Sequence, residues 1–128
     1  LGGLVEFLGH RNDLPEILWK HQVAVISTRR EGFGLVAVES MAAGCAVVAS
    51  RAPGVAELIE HGHTGWLATT GDPVTFADAI AEALGAEGPV RAAAGAAFAG
   101  ASFGLVRMTT EYERLFEQLY PAKRRPSA

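Results

Sequence analysis

The chain has 128 residues, enough for one domain that buries a core without disulfides or metals. Hydrophobic residues make up 49% of it and 15 glycines are present, which argues against a disordered chain and suits an α/β domain of tight turns and closely packed helices. The formal charge of −3 gives no electrostatic footprint for nucleic acid, and no nucleic-acid partner is expected.

Val5 to Gly9 reads as a short strand ending on glycine. Asp13 can cap a helix over Leu14 to Trp19, with Pro15 in its first turn. Gln22 to Ser27 reads as a buried strand. A loop from Thr28 to Phe33 leads into a helix from Gly34 to Ala43, which stops at Gly44. Ala46 to Ser50 is a third apolar strand, and a further helix is expected after Pro53-Gly54 to about Glu60. His61 to Gly65 is a glycine-bounded turn, and Trp66-Leu67-Ala68 a fourth strand. Asp72 is a natural N-cap with Pro73 at the first helical position, and Phe76, Ile80 and Leu84 share one face. Alanine-rich helical sequence runs from about Pro89 to Ala101. A last helix reaches about Tyr120, with Met108, Tyr112, Leu115, Phe116 and Leu119 as a packing stripe.

Strand and helix alternate about every 20 residues without a repeated motif, so the pattern is βα alternation and not a solenoid. It predicts a Rossmann-like parallel sheet with helices on both faces. In such sheets ligands bind beyond the carboxyl ends of the strands. The loop from Thr28 to Gly34 lies at one such end, and the loop from Arg51 to Gly54 at the next.

The remaining polar residues are read as structure first. Cys45 has no partner for an internal disulfide and is expected as a buried, inert thiol, so nothing points to an oxidising compartment. His10 can lie near a ligand at the end of the first strand or be a plain loop histidine, and His21, His61 and His63 show no metal-ligand spacing with Cys45, so no metal is expected. Trp19 is expected in the core, and Arg29 and Arg30 on the surface. Ser27, Thr28 and Ser50 can reach a phosphate or simply close turns. Glu57 can lie near the site or cap a helix. No segment reaches transmembrane length, and residues 121–128 form a flexible basic tail with Lys123-Arg124-Arg125. The start at Leu-Gly-Gly, without Met and almost on a strand, suggests a fragment or excised domain.

The central segment carries the chemistry. Strand, glycine loop, then helix presents backbone N–H groups that lack helical partners, with the positive end of the helix dipole behind them. Gly32 and Gly34 let the chain bend and a ligand approach, and Leu35 and Val36 can offer amides to a diphosphate. Ala42, Ala43 and Gly44 are small enough for the helix to pack close to the sheet. Glu31 precedes the helix and Glu39 lies inside it. A carboxylate accepts two hydrogen bonds at once and so suits vicinal hydroxyls: one can hold a transferred sugar, the other a ribose. By itself Gly-Phe-Gly before a helix is weak, because many such loops only make a tight turn.

The longer string is more specific. Glu31-Gly-Phe-Gly-Leu-Val-Ala-Val-Glu39, then Ser40-Met-Ala-Ala-Gly44, Val47-Val48-Ala49, Gly54-Val-Ala-Glu57, Gly65-Trp-Leu and Asp72, closely resembles the C-terminal, donor-binding domain of GT-B glycosyltransferases of group 1, also called family 4, with its E-x7-E motif. The resemblance covers about Val5 to Tyr120, which would make residues 1–120 a nucleotide-sugar-binding domain lacking its first segment. It implies a partial C-terminal domain of the GT-B fold, and retaining transfer of a hexosyl group from a nucleotide-diphosphate sugar to an acceptor hydroxyl. Glu31 would act as the catalytic-site carboxylate on hexose hydroxyls. Gly32, Phe33 and Gly34 would line the sugar, Leu35 and Val36 would bind the diphosphate, and Glu39 the ribose. It implies no cofactor and no metal. The acceptor, a sugar or a lipid-linked group, would be held by an N-terminal domain upstream, as would a basic pair on the diphosphate. Such a fragment is expected to be inactive alone and cytoplasmic, with peripheral contact of the full protein at the inner membrane face as the alternative. Ser27-Thr28, Ala46 and Arg51-Ala-Pro-Gly54 depart from the family's usual residues and touch backbone shape more than chemistry. Rival readings are a non-catalytic nucleotide-sugar-binding module and a GT-B sugar-nucleotide epimerase. A dinucleotide-binding domain is disfavoured by the missing Gly-x-Gly-x-x-Gly after the first strand.

Overall fold

A computed structural model describes residues 2–120, and the expected basic tail lies outside the described residues. Three parallel strands form one sheet in the order β1-β2-β3: β1 is Val23–Ile26, β2 Ala46–Ser50 and β3 Trp66–Ala68. Five helices accompany them: α1 Leu14–Leu18, α2 Leu35–Ala42, α3 Pro73–Leu84, α4 Glu87–Ser102 and α5 Leu105–Leu119.

The centre is β2, buried along its whole length, as a strand covered on both faces must be. Its alternation sorts the core into two halves. Val47 and Ala49 face Ala37 and Met41 of α2, with Val55, Leu58, Ile59 and Ala99 beside them. Ala46 and Val48 face Trp66, Ala79 and Ala83, with Ala92 of α4, and Phe76 and Ile80 pack against that group. Helices therefore lie on both faces of the sheet, as expected. The small stripe Gly88, Ala92, Gly95 and Ala99 lets α4 come close. A Cβ at Gly95 would lie 2.9 Å from the Thr64 carbonyl and 3.3 Å from Met41 Cγ.

Helix α3 starts where its cap predicts: Asp72 Oδ1 accepts the Val74 amide at 2.9 Å, and Pro73 occupies the first position. Asp72→Ala should lower stability by about 1 kcal/mol, measured as a shift in the urea midpoint. Cys45 is buried, as expected. Its thiol donates to the Leu18 carbonyl at 3.3 Å, and desolvation pushes its pKa up. The folded state favours the neutral thiol, so stability is complete below the free-thiol pKa and declines as pH rises above it.

Several expectations fail for physical reasons. Val5 to Gly9 is not a strand: no neighbouring strand pairs with it, and its apolar side chains are exposed. Strand β1 is an edge strand, only half-buried, with Val25 46% exposed. Asp13 occupies the N-cap position of α1 but makes no side-chain cap. Its carboxylate takes two hydrogen bonds from Arg11 (2.8 and 2.6 Å), which hold its pKa down. Trp19 is 68% exposed, just past the end of a five-residue helix. The segment after Pro53-Gly54 forms consecutive turns and not a helix: the Leu58 amide closes a tight turn onto the Val55 carbonyl at 3.1 Å. Gly44 has positive φ (83°) and open space around it, so it ends α2 by conformation; the close contacts are those of Ala37 and Met41. Leu84 is exposed, and Ala79 and Ala83 take its place in the core.

None of the residues in the α5 stripe is buried, so among the described residues it does not enter the core. Contrary to expectation, the 33-residue helical stretch Glu87–Leu119 contains an 18-residue window, of mean hydropathy 1.2 and 17% buried, that is long and apolar enough to cross a bilayer by length and composition. That stretch is broken at Phe103-Gly104, where Gly104 is extended, and α4 spends its small face on the domain's own core.

Candidate functional site

The residues from Glu31 to Val36 stand together at the carboxyl end of β1. Gly34 is the N-cap of α2 in the left-handed region, φ 96° and ψ 44°, a conformation glycine takes without strain. It is buried, with Val55 and Leu58 so close that a Cβ would lie 3.2 Å from Leu58 Cδ1. The turn fixes the helix start. Ala37 and Val38 donate to the Gly34 carbonyl at 2.9 and 3.4 Å. The amides of Leu35 and Val36 have no such partner, and their residues are exposed (64% and 48%). The protein surface at this point therefore offers two N–H donors on the positive end of a helix dipole.

The two glutamates are both exposed and do not touch. Glu31 sits on the loop, with its Oε1 accepting the Gly32 amide at 3.3 Å. Glu39 lies one turn further along α2 than Leu35, on the same stripe. It borders a hollow of about 270 Å³ between α1 and α2, shared with Leu14, Leu18, Trp19 and Ala43. The carboxylates thus bracket the free amides, one ahead of the helix and one beside it. Phe33 packs edge-on against Phe103 at 5.8 Å, and Phe103 against Phe98 at 5.5 Å, so α4 steadies the loop's middle residue.

A larger apolar groove, about 520 Å³, lies on the other side of the β1 exit. Val25, Ser27, Arg29, Asp72, Phe76 and Ile80 line it, and none of Glu31 to Val36 or Glu39 does. It follows the open edge of β1, and its lining is mostly apolar, with Ser27, Arg29 and Asp72 as its polar members.

The hydroxyls at the strand ends close turns. Thr28 Oγ1 donates to the Arg30 carbonyl at 2.8 Å, and buried Ser50 Oγ donates to the Thr28 carbonyl. Glu57 is exposed and caps no helix, while Arg29 and Arg30 are exposed and form no ion pair among the described residues. Among the described residues no three of His, Cys, Asp and Glu gather as metal ligands. Pro53 and Gly54 are what sequence reasoning missed. The Pro53 carbonyl accepts the Glu31 amide at 3.3 Å, and Gly54 abuts the Glu31 carbonyl. Adjacent parallel strands place these two exit loops side by side, a relation that no local motif announces.

Sheet, crossovers and strand-exit loop define a Rossmann-like domain of the GT-B type. The chain belongs to the glycosyl transferases of group 1, whose family profile matches residues 1–86. Over 80 residues it is 36% identical to the N-acetyl-alpha-D-glucosaminyl L-malate synthase of Bacillus anthracis, covering 62% of this chain and 21% of that protein. The D-inositol 3-phosphate glycosyltransferase of Corynebacterium jeikeium is 32% identical over 125 residues, 94% of this chain and 30% of that protein. Among solved structures, Anabaena HepE in complex with UDP-glucose matches with a TM-score of 0.84 at 32% identity, over 92% of this chain and 33% of that one. The C-terminal domain of the group 1 protein LpcC from Francisella tularensis matches with a TM-score of 0.69 at 25% identity, over 79% and 53%. The chain spans about a fifth to a third of the length of these first two relatives.

Proposed function

We propose that this chain supplies the Glu31–Glu39 part of the donor site of a retaining hexosyltransferase that uses a nucleotide-diphosphate sugar. The observation that carries the reading is the pair of unpartnered amides at Leu35 and Val36, bracketed by two exposed carboxylates at a strand's carboxyl end. The similar HepE structure is a complex with UDP-glucose, which supports a donor of that class. In this reading the amides take the diphosphate and Glu39 the ribose. Glu31, with the backbone of Gly32, Phe33 and Gly34, holds the hexose. As the glycosidic bond breaks, negative charge grows on the leaving diphosphate. Amides already aimed at it stabilise that charge without reorganising, and no metal is needed. The acceptor, and the remaining basic contacts to the diphosphate, would come from polypeptide outside this chain. The 128 residues alone therefore bind donor weakly and do not turn it over.

Calorimetry of this chain with UDP-, GDP- and ADP-sugars tests the reading, with and without EDTA. One of the three should give heat that EDTA leaves unchanged. Silence with all three would favour a non-catalytic scaffold, and transfer at a normal rate by this chain alone would refute the divided site.

A further inference from the structure

Glu31 is gripped through its own backbone. Its amide donates to the Pro53 carbonyl at 3.3 Å. On its other side, a Cβ built at Gly54 would fall 2.3 Å from the Glu31 carbonyl oxygen and 2.9 Å from the carbonyl carbon. Those neighbours are backbone and cannot swing aside as the end of a side chain can. A third tie lies just upstream, where the Ser50 hydroxyl donates to the Thr28 carbonyl. All three contacts come from the exit of β2, and none involves the first turn of α2. The helix has separate anchors: Gly34 on Val55 and Leu58, and Ala37 and Met41 in the core. The loop bearing Glu31 therefore rests on Pro53-Gly54, while the start of the helix rests on residues just after them and the rest of the helix on the core.

We propose that Pro53-Gly54 is the positioning element for Glu31, setting where its carboxylate stands relative to the Leu35 and Val36 amides. Gly54 acts by letting the two exit loops meet at backbone distance, which requires both a positive φ and the absence of a side chain. The proposal rests on the donor reading above for its functional consequence, though not for its geometry.

Gly54→Ala in the full chain tests it, with Gly44→Ala as the control. Gly44 has nearly the same φ (83° against 87°) but nothing within 4 Å of its Cβ, so its substitution carries the backbone strain without the collision. The expected result is that Gly54→Ala moves the backbone NMR signals of Glu31 and Gly32 and speeds exchange of the Glu31 amide by about tenfold, while Gly44→Ala does neither. With both variants fully folded by circular dichroism, Gly54→Ala should lower the affinity for UDP-glucose to that for UDP and leave the affinity for UDP unchanged. If Gly54→Ala does not fold, Ser50→Ala removes one tie without strain and should shift the same signals less. Identical Glu31 signals in Gly54→Ala and Gly44→Ala would overturn the proposal, and so would an equal loss of UDP and UDP-glucose. Failure of the donor reading looks different: the wild-type chain would favour none of the UDP-, GDP- and ADP-sugars over the matching bare diphosphate, while the NMR comparison would still decide the positioning.

Discussion

Trp66→Ala is expected to remove a large share of the chain's stability. Trp66 is 1% exposed and fills the centre of the core half formed by Ala46, Val48, Ala79, Ala83 and Ala92. Its buried neighbours are Val48 and four alanines, with Phe76 and Ile80 at the margin, so little buried side chain stands ready to fill the space it leaves. The indole is also tied at its edge, where Nε1 donates to Glu82 Oε2 at 2.8 Å, and the Arg91 guanidinium lies 4.3 Å from the ring centroid. Deleting a buried aromatic side chain costs about 3–5 kcal/mol, against a total of roughly 5–15 kcal/mol for a domain. Trp66→Phe keeps the ring contacts but loses the hydrogen bond, and should cost about 1–2 kcal/mol. Trp19→Ala is the internal contrast, because at 68% exposure it should change stability by less than about 0.5 kcal/mol. Urea unfolding followed by far-UV circular dichroism measures all three. Equal midpoints for Trp66→Ala and Trp19→Ala would mean that β3 does not pack against α3 and α4 as described.

The contrast between these tryptophans shows what local sequence carries and what it does not. Trp66 follows the glycine turn that aims the chain into the sheet, and its strand was legible from Trp66-Leu67-Ala68. Trp19 ends a helix of five residues, too short to carry it under anything, and its residue type alone suggested burial. The same division runs through the fold. The apolar run Ala46 to Ser50 and the capped helix from Pro73 are specified by residues within or next to them, and both appear as read. The apolar alternation at Val5 to Gly9 is also present in the sequence, but a strand exists only where a neighbour completes its hydrogen bonds. The half-exposed β1 and the exposed α5 stripe follow the same rule: patterning says which face wants cover, and the neighbourhood decides whether it is covered.

The candidate site was more legible than its support. Helix N-terminus, glycine loop and flanking glutamates form one continuous string, so a single stretch of sequence states their proximity. The grip on Glu31 is made by residues over 20 positions away, through a backbone carbonyl and a missing side chain. Pro53-Gly54 read as part of the next strand-exit loop but not as a support for Glu31, because that role lies in what it faces across the sheet.

That arrangement assigns the two glutamates different losses. Glu31 stands ahead of the helix, where a group beyond the diphosphate would lie, while Glu39 stands beside the helix, one turn behind the free amides. On the proposed donor geometry, Glu31→Ala should weaken binding of UDP-glucose and spare UDP, which carries no hexose. Glu39→Ala should weaken both, because the ribose is common to them. Each carboxylate would accept two charge-assisted hydrogen bonds from vicinal hydroxyls, and losing such contacts costs about 1.5–3 kcal/mol, roughly ten- to 150-fold in affinity. Both side chains are exposed, so neither substitution should move the unfolding midpoint by more than about 0.5 kcal/mol. That separates lost recognition from lost structure. The carboxylates share no hydrogen-bond partner, so the double variant should show the sum of the single losses. Titration calorimetry of the four proteins with UDP and UDP-glucose gives the whole pattern. If Glu31→Ala weakens UDP as much as UDP-glucose, the carboxylate acts on the diphosphate region and the division of labour is wrong. If Glu39→Ala spares UDP, the ribose lies elsewhere, and the hollow between α1 and α2 no longer borders the donor.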